Sequence, residues 1–349
     1  PWLMHYLESV YFRWILVTSF VKNKKIEIIY FDNLKSLPIF DQNEFQDKIS
    51  SSDVYNQYFF QRIYKFLKEN KNKKIKFRYI KKKISEKKYY PKNYYYSWHK
   101  TKKIKQQIIE AVDTFFSLLF SKQKYFYDLN IGKNLLIKIS FFTFTIPFKG
   151  YFWFKNKTLL DFFNKKINKN ILIRNKLDLK FDKNKQFEKF LNIHFKNDIP
   201  QSLLEKFYII NKHTKKIPFK PKVIFSDSRY ISTTMFKFWL AHRVNKGSKL
   251  VTSDHGGLYG NGRRFMQYDS EVSNVNIKWQ KVLTKTQFQL PAIHLNKYEK
   301  IRKNKIERNK ILMVGHDSSK YPKYYNTGPL SEQLLHQEDL IVGQYYNTL

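Results

Sequence analysis

The chain has 349 residues, enough for two domains of ordinary size, and no cysteine, so disulfides and Cys-based metal or redox sites are excluded. Its formal net charge is +38, with a sequence pI near 9.9, which raises nucleic-acid binding as a class and attracts anionic lipid headgroups and anionic sugar donors. No segment reaches 18 uninterrupted apolar residues, and the most apolar run, Ile139 to Phe148, is too short to span a bilayer and is flanked by Lys138 and Lys149.

Trp2 to Phe20 is predicted as an amphipathic helix, with Leu3, Leu7, Val10, Tyr11, Trp14 and Val17 at helical spacing. Ile26 to Phe31 has strand composition, and Asp32-Asn33 at its carboxyl end is either an ordinary turn or a polar pair beside a site. Ser51-Ser52-Asp53 caps a helix from Val54 to Leu67 whose aromatic face reads as core. The stretch 71–103 is rich in lysine and tyrosine without helical period, and reads as a solvated insertion. Interleaved basic and aromatic residues of this kind can also bind single-stranded nucleic acid.

Ile104 to Phe120 is predicted as a helix with Ile108, Ile109, Val112, Phe115 and Leu119 on its buried side. Leu135 to Thr145 reads as one or two strands. Helices follow at Leu159 to Ile167, Phe187 to Phe195 and Ser202 to Ile210. Val223 to Ser226 is a short strand followed by Asp227, and Tyr230 to Asn245 is a helix stopped by Lys246-Gly247. Lys249 to Ser253 is the next strand. Strand, helix and strand over this short a span have the size of a right-handed βαβ unit, so the two strands are expected side by side and parallel, with Asp227 and His255 at one crevice.

The stretch Leu250-Val-Thr-Ser-Asp-His-Gly-Gly-Leu-Tyr-Gly260 organises the chain. An apolar run stops at Asp254 and passes into His255, Gly256 and Gly257, a strand ending in a tight turn at the position where open α/β sheets bind ligands. Glycines there let a ligand approach the backbone. A turn shaped by glycine alone is the plainer alternative. Arg263-Arg264, just beyond, has the planar fork that suits phosphate, while Asp269 and Glu271 are either a cation- or proton-binding pair or a solvated face. Ile277 to Thr284 reads as a strand containing Trp279, 296–310 as a basic linker, and Ile311 to Val314 as a strand leading into Gly315-His316-Asp317-Ser318.

Phe238 to Trp279, with Lys-Gly-Ser-Lys-Leu-Val-Thr-Ser-Asp-His-Gly-Gly-Leu-Tyr-Gly at its centre, resembles a transferase family of bacterial O-antigen and surface-polysaccharide loci. The chain keeps His255, Gly256, Gly257, Tyr259 and Gly260 of that family's loop. It departs from the family pattern at Asp254, where glutamine is usual, at Asn274, where aspartate is usual, and at Trp279-Gln280, where Trp-Gly is usual. The resemblance implies an α/β fold with a Rossmann-like parallel sheet, flanking helices and a GT-B-like two-domain architecture. On this reading residues 1–295 form the N-terminal, acceptor-side domain, and 311–349 open a nucleotide-binding domain that the chain leaves incomplete, so the chain alone is expected to be inactive.

The implied reaction moves a sugar or polyol phosphate from a nucleotide-activated donor to a glycan or lipid-linked acceptor, in the cytoplasm at the inner face of the membrane. It needs no metal and no permanently bound cofactor, because helix N-termini, backbone N–H groups and basic side chains can stabilise the leaving group. His255 and Asp227 are the candidate catalytic groups, with His255 a general base or a phosphate ligand. Asp254, Gly256, Gly257, Tyr259, Gly260, Arg263, Arg264, His316 and Ser318 are the candidate substrate or phosphate contacts.

The competing class is a basic nucleic-acid-binding protein, and a third reading is a catalytically inactive relative. Lysine outnumbers arginine 56 to 10, and Asn, Ile, Phe and Tyr are also abundant, which is the pattern that A/T-rich codons impose on any surface. A surface selected for phosphate would use more arginine, so no specific nucleic acid is expected.

Overall fold

The computed structural model describes residues 2–23, 28–32, 38–71, 76–80, six helical positions between 108 and 119, 122–128, 131, 133–145, 154, 169–177, 181–182, 185–254, 263–279, 281–292, 295 and 321. The chain divides into two compact, interleaved units: 1–100, 166–206 and 311–349 form the first, and 101–165 with 207–310 the second.

In the first unit α1 (Trp2–Asn23), α2 (Gln42–Ser51), α3 (Asp53–Lys71) and α6 (Gln186–Asp198) enclose an aromatic core. Trp2, Tyr6, Trp14, Phe45, Phe59, Phe66, Phe190 and Phe195 are buried there. Their rings meet edge-on or tilted, as between Tyr6 and Phe195 (5.3 Å) and Phe66 and Phe190 (5.7 Å), the arrangement that the ring quadrupole favours. The expected first helix is present, but of its apolar stripe Val10, Trp14 and Val17 are buried and Leu7 half-buried, while Leu3 and Tyr11 are exposed.

Several polar groups inside this core are paired, while Trp2 Nε1 and Arg62 Nη2 are buried without a hydrogen-bond partner among the described residues. Arg62 Nη1 donates to both carboxylate oxygens of Asp198 (2.8 and 2.9 Å), and Tyr6 Oη donates to Asp198 Oδ2 (2.7 Å). Arg174, in α5 (Ile171–Asn175), donates to Glu205 from Nε (2.7 Å) and Nη2 (2.9 Å). Asp41 caps α2 by accepting from the Glu44 N–H, and Ser52 Oγ accepts from the Tyr55 N–H (3.1 Å), so the expected cap of α3 is present one residue before the helix.

His194 lies on α6 against the Phe190 ring (4.6 Å), where burial first, and then the Arg62 guanidinium, pushes it down to about 3. Its folded value is therefore below the unfolded 6.5, so the fold holds the ring neutral. The contribution is fully present above about pH 6.5 and is lost progressively as the pH falls towards 3, because the unfolded chain takes up the proton first. Between pH 7 and 5 His194→Gln should flatten the fall of unfolding free energy with acid, by up to about 1.4 kcal/mol per pH unit, the limit for one proton. Parallel slopes for the two proteins in urea titrations would contradict this.

Strands β1 (Ile28–Asp32) and β2 (Lys76–Ile80) pair in parallel as a two-stranded sheet. Two expectations change here. β1 pairs with β2 and does not join the main sheet, and the lysine-rich stretch begins with a strand, because Phe77, Tyr79 and Ile80 supply the β-favouring residues that its charge masks.

The second unit is built on five parallel strands in sequential order, β3 (Tyr125–Asp128), β4 (Val223–Ser226), β5 (Lys249–Ser253), β6 (Val275–Lys278) and β7 (Gln287–Gln289). The expected parallel neighbours β4 and β5 pair Val223 with Lys249 through Ser226 with Thr252. The expected helix between them is broken at Thr233, which is extended, into α8 (Arg229–Ser232) and α9 (Thr234–Asn245). Gly247, at φ +94°, turns the chain from α9 into β5, a left-handed position that suits glycine. Trp239 of α9 is buried against Phe126, Phe154, Phe219 and Phe236. That cluster seats α9 on the face of the sheet formed by Phe126, Ile224 and Leu250.

Other expectations are corrected. Residues 133–143 form a helix, α4 (Lys133–Thr143), not strands. The β-branched and aromatic composition pointed to a strand, but Ser140 and Thr143 return their hydroxyls to the carbonyls of Leu136 and Ile139, four residues back. The strand around Trp279 starts earlier and stops at Lys278. Ser202 to Ile210 is not one helix: a 3-10 turn at Gln201–Leu203 is followed by α7 (Phe207–Lys215). Ile108, Val112, Phe115 and Leu119 are helical as expected but exposed, not buried. The helix expected at 159–167, the linker 296–310 and the strand at 311–314 lie outside the described residues.

Candidate functional site

In a parallel sheet, paired residues point the same way, and every second residue shares a face. The register therefore places Asp128, Ser226, Thr252, Asn276 and Gln287 in one row across all five strands. All five are buried. Two residues towards the amino end, the same face is apolar (Phe126, Ile224, Leu250) and carries Trp239. Two residues on, it carries Asp254 and Lys278. Polarity thus begins at the carboxyl ends of β3, β4 and β5, and the row continues across the amino-terminal halves of β6 and β7.

Three aspartates stand at the ends of successive strands: Asp128 closes β3, Asp227 follows β4 and Asp254 follows β5. Arg229 Nη2 lies 2.7 Å from Asp128 Oδ1, and Ser226 Oγ donates to Asp128 Oδ2 (3.2 Å). Lys278 Nζ lies 3.2 Å from Asp254 Oδ1, while the Trp279 N–H donates to Asp254 Oδ2 (3.2 Å). Both ion pairs are buried, and such pairs persist where the remaining lone pairs are also satisfied. Asp227 accepts from Ser228 Oγ (2.9 Å), and its own N–H donates to the Asp128 carbonyl (3.3 Å).

Between these pairs the row contains buried groups with no partner. Among the described residues the hydroxyl of Thr252 and the amide nitrogen and oxygen of Asn276 have no hydrogen-bond partner, and the two residues are directly opposite in the β5–β6 register. An orphaned buried amide costs about 1–3 kcal/mol, so a hydroxyl-bearing group or a water placed there would gain what the fold leaves unused. Asn274, one of the departures from the family pattern, has a structural role. Its Oδ1 accepts from the Leu250 N–H (2.9 Å) and its own N–H donates to the Leu250 carbonyl (2.9 Å), tying the start of β6 to β5.

Residues 255–262, with His255, Gly256, Gly257, Tyr259 and Gly260, lie outside the described residues, as do His316 and Ser318. His255 follows Asp254, whose carboxylate and N–H are fixed on β6 by Lys278, Trp279 and the Ile277 carbonyl. Arg263 and Arg264 are the first two residues of α10 (Arg263–Val272). That places them at the helix end where unpaired N–H groups favour anions. Asp269 lies inside α10 and is buried; the Tyr230 hydroxyl of α8 donates to its Oδ1. Glu271 is exposed, so the two do not act as a pair. Among the described residues no group of three or more His, Cys, Asp or Glu could hold a metal ion.

The structure brings Asp227 and Asp254 of the expected set to the carboxyl ends of neighbouring strands. It adds Asp128, Arg229, Thr252, Asn276 and Lys278, which sequence reasoning passed over. The signal available was a polar residue inside or at the end of a short buried strand, with Asp128 and Lys278 last in β3 and β6, Asn276 second in β6 and Thr252 fourth in β5, a pattern that a fully buried parallel strand does not need for packing.

Neither a curated protein nor a solved structure matches the chain. A family model described as LIC12162 family transferase matches residues 1–339, nearly the whole length, and the chain belongs to that transferase family.

Proposed function

We propose that the protein is a GT-B-like transferase of surface-polysaccharide biosynthesis that moves a sugar or polyol phosphate from a nucleotide-activated donor to a glycan or lipid-linked acceptor. The observation that carries this reading is the buried polar row that crosses the sheet at the carboxyl ends of β3, β4 and β5 and includes Asn276 of β6, from which Asp254 leads directly into His255. Carboxylates, a free hydroxyl and a free amide are groups that bind the hydroxyls of a sugar or polyol. A phosphate requires donors instead, and Arg263 and Arg264 at the start of α10 supply them next to the helix N-terminus. The transferase family name agrees with group transfer, and the parallel strands in both units suit a two-domain enzyme of the GT-B kind.

In this reading His255 takes the proton of the acceptor hydroxyl or donates to a phosphate oxygen, and Asp227 orients or supports it. The glycines at 256 and 257 carry no side chain that would block the donor. The leaving nucleotide is stabilised by helix N-terminal and basic groups, so the reaction requires no metal.

The test is release of nucleotide from a panel of nucleotide-sugar and nucleotide-polyol donors by the full-length protein, with and without glycan acceptors. Replacing both Arg263 and Arg264 with alanine should raise the donor KM about 10–100-fold, the loss expected for one or two charge-assisted hydrogen bonds, with kcat changed less. Donor KM equal to the wild type's would remove the arginines from the site. Absence of release with every donor, together with salt-sensitive binding to any polynucleotide, would favour the nucleic-acid reading instead.

A further inference from the structure

Two apolar surfaces in the second unit are left open by the chain itself. Along 108–119, Ile108, Ala111, Val112, Phe115 and Leu119 recur at helical spacing on one face. Phe115 is 62% exposed and Leu119 60%. On α4 the exposed large apolar residues are Ile137, Phe141 and Phe142, and the chain just beyond adds Phe144, at 92% exposed. Single exposed apolar residues are ordinary, but aligned groups of large ones mark an interaction surface.

The end of α4 supplies a second, independent sign. Phe144 has φ 50°, its N–H donates to the Phe141 carbonyl (3.3 Å), and the Thr145 N–H donates to the Ser140 carbonyl (3.0 Å). That is a helix stop whose left-handed position is normally taken by glycine. Here a bulky residue bears the strain of that position, yet gains no packing in return, since its ring is in solvent. Folding alone gives no reason for phenylalanine at 144; contact with something outside the chain does.

We propose that these two surfaces seat the protein on an anionic lipid bilayer, with the phenylalanines entering the headgroup–acyl boundary. Charge selects the occupant. The chain carries a net charge of +38, and Lys122, Lys124 and Lys138 are exposed beside the apolar residues, so anionic headgroups are attracted while a second copy of the chain is repelled. Among the described residues no helix is long and apolar enough to cross a membrane, which leaves docking in the plane of the interface. The proposal does not depend on the transferase reading, because lipid partition needs neither donor nor acceptor.

The experiment is co-sedimentation of the full chain with phosphatidylcholine vesicles and with vesicles containing phosphatidylglycerol, at low and high salt. The wild type should partition onto the anionic vesicles, more weakly at high salt but still measurably, because the apolar contribution is not screened. Phe141→Ser with Phe142→Ser and Phe144→Gly should lower that partition about tenfold or more, at about a factor of ten per large side chain withdrawn from the interface. Phe144→Gly alone should leave the melting temperature unchanged or raised, which separates docking from folding. Phe115→Ser with Leu119→Ser should act in the same direction. Equal partition of variants and wild type, no binding to anionic vesicles, or binding that high salt abolishes completely would overturn the proposal. So would a concentration-dependent oligomer in sedimentation velocity that the same variants dissolve, since that would make a second copy the occupant.

Discussion

His255→Ala should lower turnover of nucleotide release by about 10²–10⁴-fold, the usual range for loss of a general acid–base group, while the melting temperature stays close to that of the wild type. The argument starts from an anchored residue. Asp254 is held on β6 by Lys278 Nζ, the Trp279 N–H and the Ile277 carbonyl, so the chain enters position 255 from a fixed point at the sheet edge. An imidazole titrates near neutral pH and can exchange a proton with a sugar hydroxyl. If it is the base, the acidic limb of the wild-type pH–rate profile should vanish in the variant, whereas a histidine that only binds phosphate would change KM more than the shape of that profile. His242→Ala, on α9, is the control. Unchanged turnover with a large loss of stability would make His255 a structural residue, and the functional reading of the central stretch would fall.

Lys278→Met should destabilise the unit that contains the five-stranded sheet by about 3–5 kcal/mol, the cost of leaving one member of a buried ion pair without its partner. Lys278 and Asp254 are each only 2% exposed. Without the ammonium, the Asp254 carboxylate would retain the Trp279 N–H and little else from the pair. Asp254→Gln should also be destabilising, since it removes the carboxylate 3.2 Å from the buried Lys278 ammonium. The double variant Asp254→Gln, Lys278→Met should recover most of the loss, because a neutral amide beside an apolar side chain removes both desolvation penalties. Denaturant unfolding of the four proteins closes the cycle. If the two single costs simply add in the double variant, the pair is not coupled and its 3.2 Å separation has no energetic meaning.

The two experiments address different claims about one residue position. The ion-pair cycle asks what fixes the end of β5, and the histidine variant asks what the next residue does. Loss of activity in Lys278→Met without loss of stability would mean that Asp254 and Lys278 face the substrate rather than brace the strand.

Where the chain's own periodicity was strong, sequence sufficed. The long first helix, the βαβ unit from Val223 to Ser253, its parallel pairing and the glycine stop at Gly247 follow from local rules: apolar spacing, a short crossover and a left-handed position. The placement of Asp227 and Asp254 at the carboxyl ends of neighbouring strands follows from the same rules. Composition misled where context reverses propensity. The β-rich stretch at 133–143 is a helix, in which Ser140 and Thr143 can turn their hydroxyls onto carbonyls four residues back, and the stripe from Ile108 to Leu119 is exposed although its pattern is that of a buried face. A periodic pattern says which residues share a side, but not what lies against that side.

Only the tertiary structure decided which strands share a sheet and in what register. Asp128 and Arg229 are 101 positions apart and Asp254 and Lys278 are 24 apart, and no local signal couples either pair. The row Asp128, Ser226, Thr252, Asn276 and Gln287 exists because four pairings align single polar residues from five short strands on one face. Each is unremarkable in its own segment, and it is their alignment, set by long-range backbone hydrogen bonding, that makes a polar row across the sheet.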